Sequence, residues 1–143
     1  MRRLIPGLFL LGVLATAAAA CNKNSTTTAT TPTTTTTTAT SITEPPFTGT
    51  LKLNGAATYA FTATTGGTIT ATLSTLAPNA TGIGLSLGTW NGSACQIVIA
   101  NDNTTQSVAV SGTVTAASSL CVRVYDVGRL TAPVDFTVTI VHP

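Results

Sequence analysis

The stretch Val134-Asp135-Phe136-Thr137-Val138-Thr139-Ile140-Val141 decides the fold of this chain. Every second side chain from Val134 to Ile140 is large and apolar, and the side chains between them are Asp or Thr. Because successive side chains of a β-strand point to opposite faces, this pattern predicts a strand with one buried face and one face in water. Such half-buried strands are typical of antiparallel sheets.

The same kind of pattern recurs upstream, back to Phe47. Short runs rich in Thr and Val are separated by turn signals, among them Gly66-Gly67 and Asn91-Gly92, and Asn54-Gly55 predicts a two-residue hairpin. No segment has an amphipathic helical stripe. We therefore predict an all-β domain over 47–143, an antiparallel, jelly-roll-like β-sandwich of about eight short strands, with a closed barrel as the alternative. The runs cover 51–53, 59–63, 69–73, 83–87, 95–100, 106–114, 119–126 and 134–141.

Residues 1–20 have the layout of a signal peptide. A cationic start, Met1-Arg2-Arg3, precedes an apolar run from Leu4 to Ala20 that is shorter than the ~20 residues a spanning helix needs. The end of this run, Ala18-Ala19-Ala20-Cys21, resembles the bacterial lipobox, although Ala18 stands where leucine is commonest. The resemblance implies that Cys21 is acylated and anchors the protein to a membrane. Ordinary cleavage that leaves Cys21 as a thiol, and an uncleaved anchor helix, are the alternatives.

The residues after Cys21 predict where the domain is held. Asn22 follows the cysteine, whereas aspartate there marks inner-membrane retention among lipoproteins, so we expect display on the outer membrane or the cell surface, with a periplasmic or secreted protein as the alternative. Segment 21–46 is rich in Thr and Pro and has no large apolar residue before Ile42. Such a segment buries too little apolar surface to order its backbone, which predicts a disordered linker.

The charge balance excludes nucleic acid as a partner. Of six Lys and Arg, Arg2 and Arg3 leave with the signal peptide, and the remaining four balance four acidic residues. A neutral chain without a basic patch lacks the main driving force for binding phosphates. We expect a monomer whose partners are the membrane, through the lipid at Cys21, and possible surface ligands of the polysaccharide or peptide class.

Five short motifs follow one another through the domain. They are Gly49-Thr50-Leu51, Tyr59-Ala60-Phe61, Gly66-Gly67-Thr68-Ile69-Thr70, Cys121-Val122-Arg123-Val124-Tyr125-Asp126-Val127-Gly128 and Phe136-Thr137-Val138-Thr139. In this order they resemble the bacterial pre-peptidase C-terminal domain. The resemblance implies a β-sandwich module of the kind usually appended to secreted proteases, here with no protease attached.

The resemblance does not extend to calcium or collagen binding. Collagen-binding relatives carry calcium at an acidic N-terminal segment, which here has only Glu44, and Ala56-Ala57 stand where an aspartate is usual. Asn101, Asp102 and Asn103 remain as weak calcium candidates, and an Asx-rich turn explains them more simply. We predict no other metal site and no cofactor.

The three cysteines divide into one anchor and one pair. With Cys21 acylated, Cys95 and Cys121 are expected to form a disulfide in an exported protein. Alternation puts Cys121 on the face of Arg123 and Tyr125, opposite the core, which predicts a bridge at a sheet edge or strand end. It requires Cα atoms within about 7 Å of each other.

The domain offers little material for catalysis. It has one histidine, His142, and acidic residues scattered along the chain, so we predict that it is not an enzyme. The sequence is more compatible with a ligand-binding surface than with an active site. Trp90 and Tyr125, with Arg123 beside the latter, are candidate ligand-binding residues because aromatic rings stack on sugars and peptides. This hypothesis requires Trp90 and Tyr125 to be exposed neighbours.

Overall fold

A computed structural model describes residues 40–78 and 82–143, and all regular structure in these ranges is β. The predicted signal peptide, Cys21 and most of the predicted linker lie outside the described residues. Within them, no helix long and apolar enough to cross a bilayer is found. The strands are β1 (Ile42–Thr43), β2 (Phe47–Leu51), β3 (Ala56–Ala63), β4 (Gly67–Ala77), β5 (Ile83–Trp90), β6 (Cys95–Thr104), β7 (Ala109–Val114), β8 (Ser118–Tyr125) and β9 (Val134–His142).

The strands form two antiparallel sheets. The first has the order β1-β9-β4-β7, with β2 also pairing with β9, and the second has the order β3-β8-β5-β6. If β2 is counted as strand 1, the strand order is 1-8-3-6 in the first sheet and 2-7-4-5 in the second. This order is that of a jelly roll, in which the chain wraps alternately through the two sheets. The predicted β-sandwich is confirmed, with one strand more than expected.

The core lies between the sheets and is built by the alternation read from the sequence. In β9, Val134, Phe136, Val138 and Ile140 are all buried, as the opening stretch predicts. Around the Phe136 ring, the Phe47 ring packs edge-on at 5.1 Å between centroids. Other predicted inward positions that are buried are Leu51, Phe61, Ala63, Ile69, Ala71, Leu73, Ile83, Leu85, Leu87, Val122 and Val124.

The hairpin predicted at Asn54-Gly55 is wrong, although a tight turn is present. Asn54 has a φ of 53°, and the Gly55 N–H donates to the Lys52 carbonyl at 2.9 Å. The strands on either side do not pair with each other, because β2 pairs with β9 and β3 with β8. Asn-Gly favours a tight turn with positive φ. Such a turn can join two strands of one hairpin or, as here, two strands of different sheets.

The first sheet begins earlier in the chain than the predicted start of the domain at Phe47. Ile42 and Thr43 pair with the end of β9, and the Glu44 N–H donates to the Ile140 carbonyl at 3.0 Å. The reason is that β2 pairs only with β9 residues up to Val138. The rest of that edge of β9 has backbone groups that need partners, and residues 42–44 supply them.

Candidate functional site

The Cys95–Cys121 disulfide is present, with Cα atoms 5.7 Å apart. Cys95 is the first residue of β6, which is the edge strand of its sheet, so the predicted position at an edge is confirmed. The bridge passes from β8 to β6 across β5 at Gly88, which stands opposite Cys121. A Cβ at Gly88 would overlap the Gln96 carbonyl oxygen, so glycine is what lets β6 fold close over β5 here.

Trp90 and Tyr125 are not neighbours. In the second sheet, Tyr125 stands opposite Gly84 at one end of β5, and Trp90 is the last residue at the other end. Gly84 and Trp90 are six positions apart along β5, and this corresponds to a distance of about 20 Å along the strand. Both rings are half-buried. The two aromatic candidates therefore do not share a platform for one ligand.

Tyr125 packs onto its own sheet. Its ring lies across Gly84, where a Cβ would overlap it, and its hydroxyl donates to the Asp102 carboxylate. Burial, followed by this hydrogen bond, raises the pKa of Tyr125 to about 12. Arg123 on the same strand is half-buried, and its Nε has no hydrogen-bond partner among the described residues. Both side chains therefore lie on the outer face of the second sheet and cover part of it.

The oxygens of the weak calcium candidates are used within the fold. The Asn101 Oδ1 accepts the Asn103 N–H at 3.0 Å, and the Asn103 Oδ1 accepts Nη1 of Arg129 at 2.8 Å. Asp102 accepts the hydroxyl of Tyr125. These are the contacts of an Asx-rich strand end. Over residues 40–78 and 82–143, no group of three or more His, Cys, Asp or Glu side chains is arranged to hold a metal ion.

Asp126 ties two loops together. Its Oδ2 accepts the Asn54 N–H at 2.8 Å, and its Oδ1 accepts the N–H groups of Gly128, Arg129 and Leu130 at 2.9 to 3.2 Å. These backbone donors, Asn54 first, hold the pKa of Asp126 below its usual range. The carboxylate thus joins the turn between β2 and β3 to the loop after β8.

A partly buried polar cluster joins the two ends of the described domain, and the sequence did not predict it. The Glu44 Oε1 lies 2.9 Å from Nε2 of His142, and its Oε2 accepts the Tyr59 hydroxyl at 2.8 Å. The other ring nitrogen of His142 lies 3.0 Å from the Pro143 oxygen. His142 is only 2% exposed. Since Glu44 and His142 are 98 residues apart, no local pattern could have paired them.

The electrostatics of this cluster favour an ionised Glu44. The hydrogen bonds from His142 and then Tyr59 lower the pKa of Glu44 below its usual value, and the same carboxylate raises the pKa of Tyr59. Both ring nitrogens of His142 lie within hydrogen-bond distance of oxygens, one of Glu44 and one of Pro143. The Glu44 carboxylate therefore links Tyr59 of β3 to His142 at the end of β9.

We expect Glu44→Gln to make stability less dependent on pH. A carboxyl with a lowered folded-state pKa stabilises the native protein fully above its ordinary value of 4.5, and loses that contribution as the pH falls through the lower folded-state value. The native chain should therefore exceed the variant in free energy of unfolding at pH 7, and the difference should shrink at pH 3. Urea unfolding at both pH values measures this. A difference that grows at pH 3 would contradict the lowered pKa of Glu44.

Strand β6 carries an exposed apolar run. Ile97, Val98 and Ile99 are 47%, 70% and 37% exposed. Strand β6 lies at the open side of the sandwich, where it faces β7, the edge strand of the other sheet. An apolar cleft of about 140 Å³ opens between these edges. We call it the β6–β7 cleft; its lining includes Ile69, Leu87, Val98, Ile99, Val114 and Leu120.

No model of a known protein family matches this chain, and no curated protein matches it in sequence.

Proposed function

We propose that this protein is an exported, non-catalytic lipoprotein, anchored through Cys21 to the outer membrane or cell surface, that displays its β-sandwich as a structural or adhesive module. The Cys95–Cys121 disulfide is the observation that carries the proposal. Disulfides persist in oxidising, extracytoplasmic compartments. The bridge also takes up both cysteines of the domain, so Cys21 has no other cysteine in the chain to pair with, which fits a cysteine reserved for lipid.

The contacts of the acidic side chains support a structural rather than a catalytic role for them. Glu44 binds Tyr59 and His142, and Asp126 holds two loops. Asp102 accepts from Tyr125, and Asp135 accepts the Thr50 hydroxyl at 2.6 Å. Each of the four carboxylates in the domain thus fixes one segment of the chain to another.

The likeness to the pre-peptidase C-terminal domain is part of the proposal. Its motifs fall on consecutive structural elements: the Gly-x-Leu motif ends β2, the Tyr-x-Phe motif lies in β3, and the Gly-Gly turn begins β4. The longest motif, from Cys121 onward, runs along β8 into the loop held by Asp126. This agreement supports a module of that architecture, and does not by itself favour any ligand.

The alternative is a surface module that binds a ligand. The separation of Trp90 from Tyr125 by about 20 Å of strand weakens the version in which both stack on one polysaccharide. The version in which the ligand is an apolar peptide is favoured by the β6–β7 cleft.

The chemical state of Cys21 tests the anchor. We expect the N-terminal peptide of the native protein, isolated from cells, to begin at Cys21 and to carry acyl chains, because the preceding residues resemble a lipobox. Cys21→Ser should yield no acylated peptide, since serine lacks the thiol that accepts the lipid. Mass spectrometry of that peptide makes the comparison. Asn24→Ser, close by, is the matched control and should stay acylated; an unmodified Cys21 in the native protein would refute the anchor.

A further inference from the structure

Strand β6 is an edge strand that has a bulge but neither lysine nor proline to protect it. Among the described residues it pairs only with β5, so one row of its backbone N–H and C=O groups faces outward. Natural edge strands are commonly protected by lysine, by proline or by bulges. From Cys95 to Asn101 this strand has no charge and no proline. It does have a bulge, between the pairs Leu87–Ile99 and Gly88–Ile97, and the residue left over is Val98.

The bulge places an exposed apolar side chain beside an apolar opening. Val98 is the most exposed of the large apolar side chains of the described domain, and it also lines one wall of the β6–β7 cleft. The same surface therefore presents a projection and a recess next to each other. Across a two-fold axis at Val98, the two Val98 side chains would meet each other, and Ile97 of each copy would meet Ile99, which lines the cleft of the other copy.

We propose that this surface binds a second copy of the chain, with the two β6 strands antiparallel and crossing at Val98, and with the apolar side chains of each strand against the β6–β7 cleft of the other copy. The second copy is thus the partner of the adhesive module proposed above. The inference rests on that proposal only in placing the copies together on one membrane surface. It departs from the monomer expected from the sequence.

The charges on β6 fit a second copy. An antiparallel crossing at Val98 brings Ile97 opposite Ile99 of the other copy and keeps apolar side chains together. The one charged residue of the strand, Asp102, then lies opposite the uncharged Ala94. The two aspartates stay at opposite ends of the contact, so like charges do not meet. An acidic or basic peptide would find no opposite charge between Cys95 and Asn101.

The size of the surface predicts a weak dimer. Ten residues of strand and one spacing between sheets describe a strip about 33 Å long and about 10 Å wide. Stable complexes bury about 800 Å² per partner, whereas this strip covers roughly 330 Å², less than half of that area, so the contact is weak and transient between free molecules. It is suited to copies held at high local concentration, as on one membrane surface, where tethering raises the effective concentration.

Photo-cross-linking in cells tests the proposal on the full chain. Ile97→benzoylphenylalanine should, on irradiation, give a species of twice the chain mass, with the cross-link ending on a β6 or β7 peptide of a second copy. Leu53→benzoylphenylalanine is the matched control, because Leu53 is similarly exposed but lies in the turn after β2. It should give no such species.

A second substitution separates the dimer from chance collision. Adding Val98→Lys to the Ile97 probe should lower the yield of cross-linked dimer by about tenfold or more, because it places like charges at the crossing point. Val98→Thr, which keeps the shape, guards against a folding defect and should also lower the yield, though less. A cross-link to another protein, no cross-link at all, or a yield that Val98→Lys leaves unchanged overturns the proposal. The acylation of Cys21 is measured separately and its failure would leave this result standing.

Discussion

Replacing Cys95 and Cys121 together by alanine is expected to lower the free energy of unfolding by about 3.5 kcal/mol. The bridge joins residues 26 positions apart, and the entropy that such a loop removes from the unfolded chain gives this value. Domains of this size are stable by only about 5–15 kcal/mol, so the loss is a large share of the total. Alanine is preferable to serine, because Cys121 is fully buried and a serine hydroxyl there would need a partner.

Urea unfolding of the native and double-alanine proteins measures this effect. The native protein unfolded in the presence of a reductant should resemble the variant, which serves as an internal control for the substitutions themselves. Because the main effect is on the unfolded chain, most of the folded-state contacts should survive at low temperature. A loss below about 1 kcal/mol would mean that the reduced unfolded chain is already compact near residues 95–121.

Phe136→Ala is expected to cost about 3–5 kcal/mol, the range for removing a buried aromatic side chain. The ring is 2% exposed, packs edge-on against Phe47, and lies 3.1 Å from where a Cβ at Gly49 would stand. It therefore connects β9 to β2, and its loss leaves a cavity in the core between the sheets.

The matched control for Phe136→Ala is Thr137→Ala, the next residue on the same strand, whose side chain points to the other face. We expect about 1 kcal/mol or less for this half-buried position. Denaturant midpoints of the two variants make the comparison. Equal losses would contradict the assignment of the two faces of β9.

The sequence predicted those parts of the fold that depend on local alternation. In β4 and β9 the apolar residues at every second position are buried, because one face of each strand lies against the core and the other faces solvent. The pairing of Cys95 with Cys121 also followed from counting cysteines. Local turn chemistry did not reveal which strands the turn at Asn54-Gly55 connects, since that depends on contacts far along the chain.

The surface features could not be predicted in the same way. Ile97, Val98 and Ile99 form a continuous apolar run of the kind found in buried strands, and the position of β6 at the end of its sheet leaves them exposed. The contact between Glu44 and His142 depends on β1 and β9 being adjacent. Tyr125 and Trp90 share a sheet face, but their separation depends on the register of β5, which no local pattern encodes.

The pairing of β1 with the end of β9 has a mechanical consequence. Any tension applied to the chain before residue 40 enters the domain at Ile42–Thr43, so the first bonds to bear load are those that join this short strand to Val141 and His142. Directly behind them stands the Glu44–His142 contact, which must also break before the load reaches β2. Acid that protonates Glu44 would remove that second resistance, so the force at which the domain begins to peel should fall as the medium is acidified.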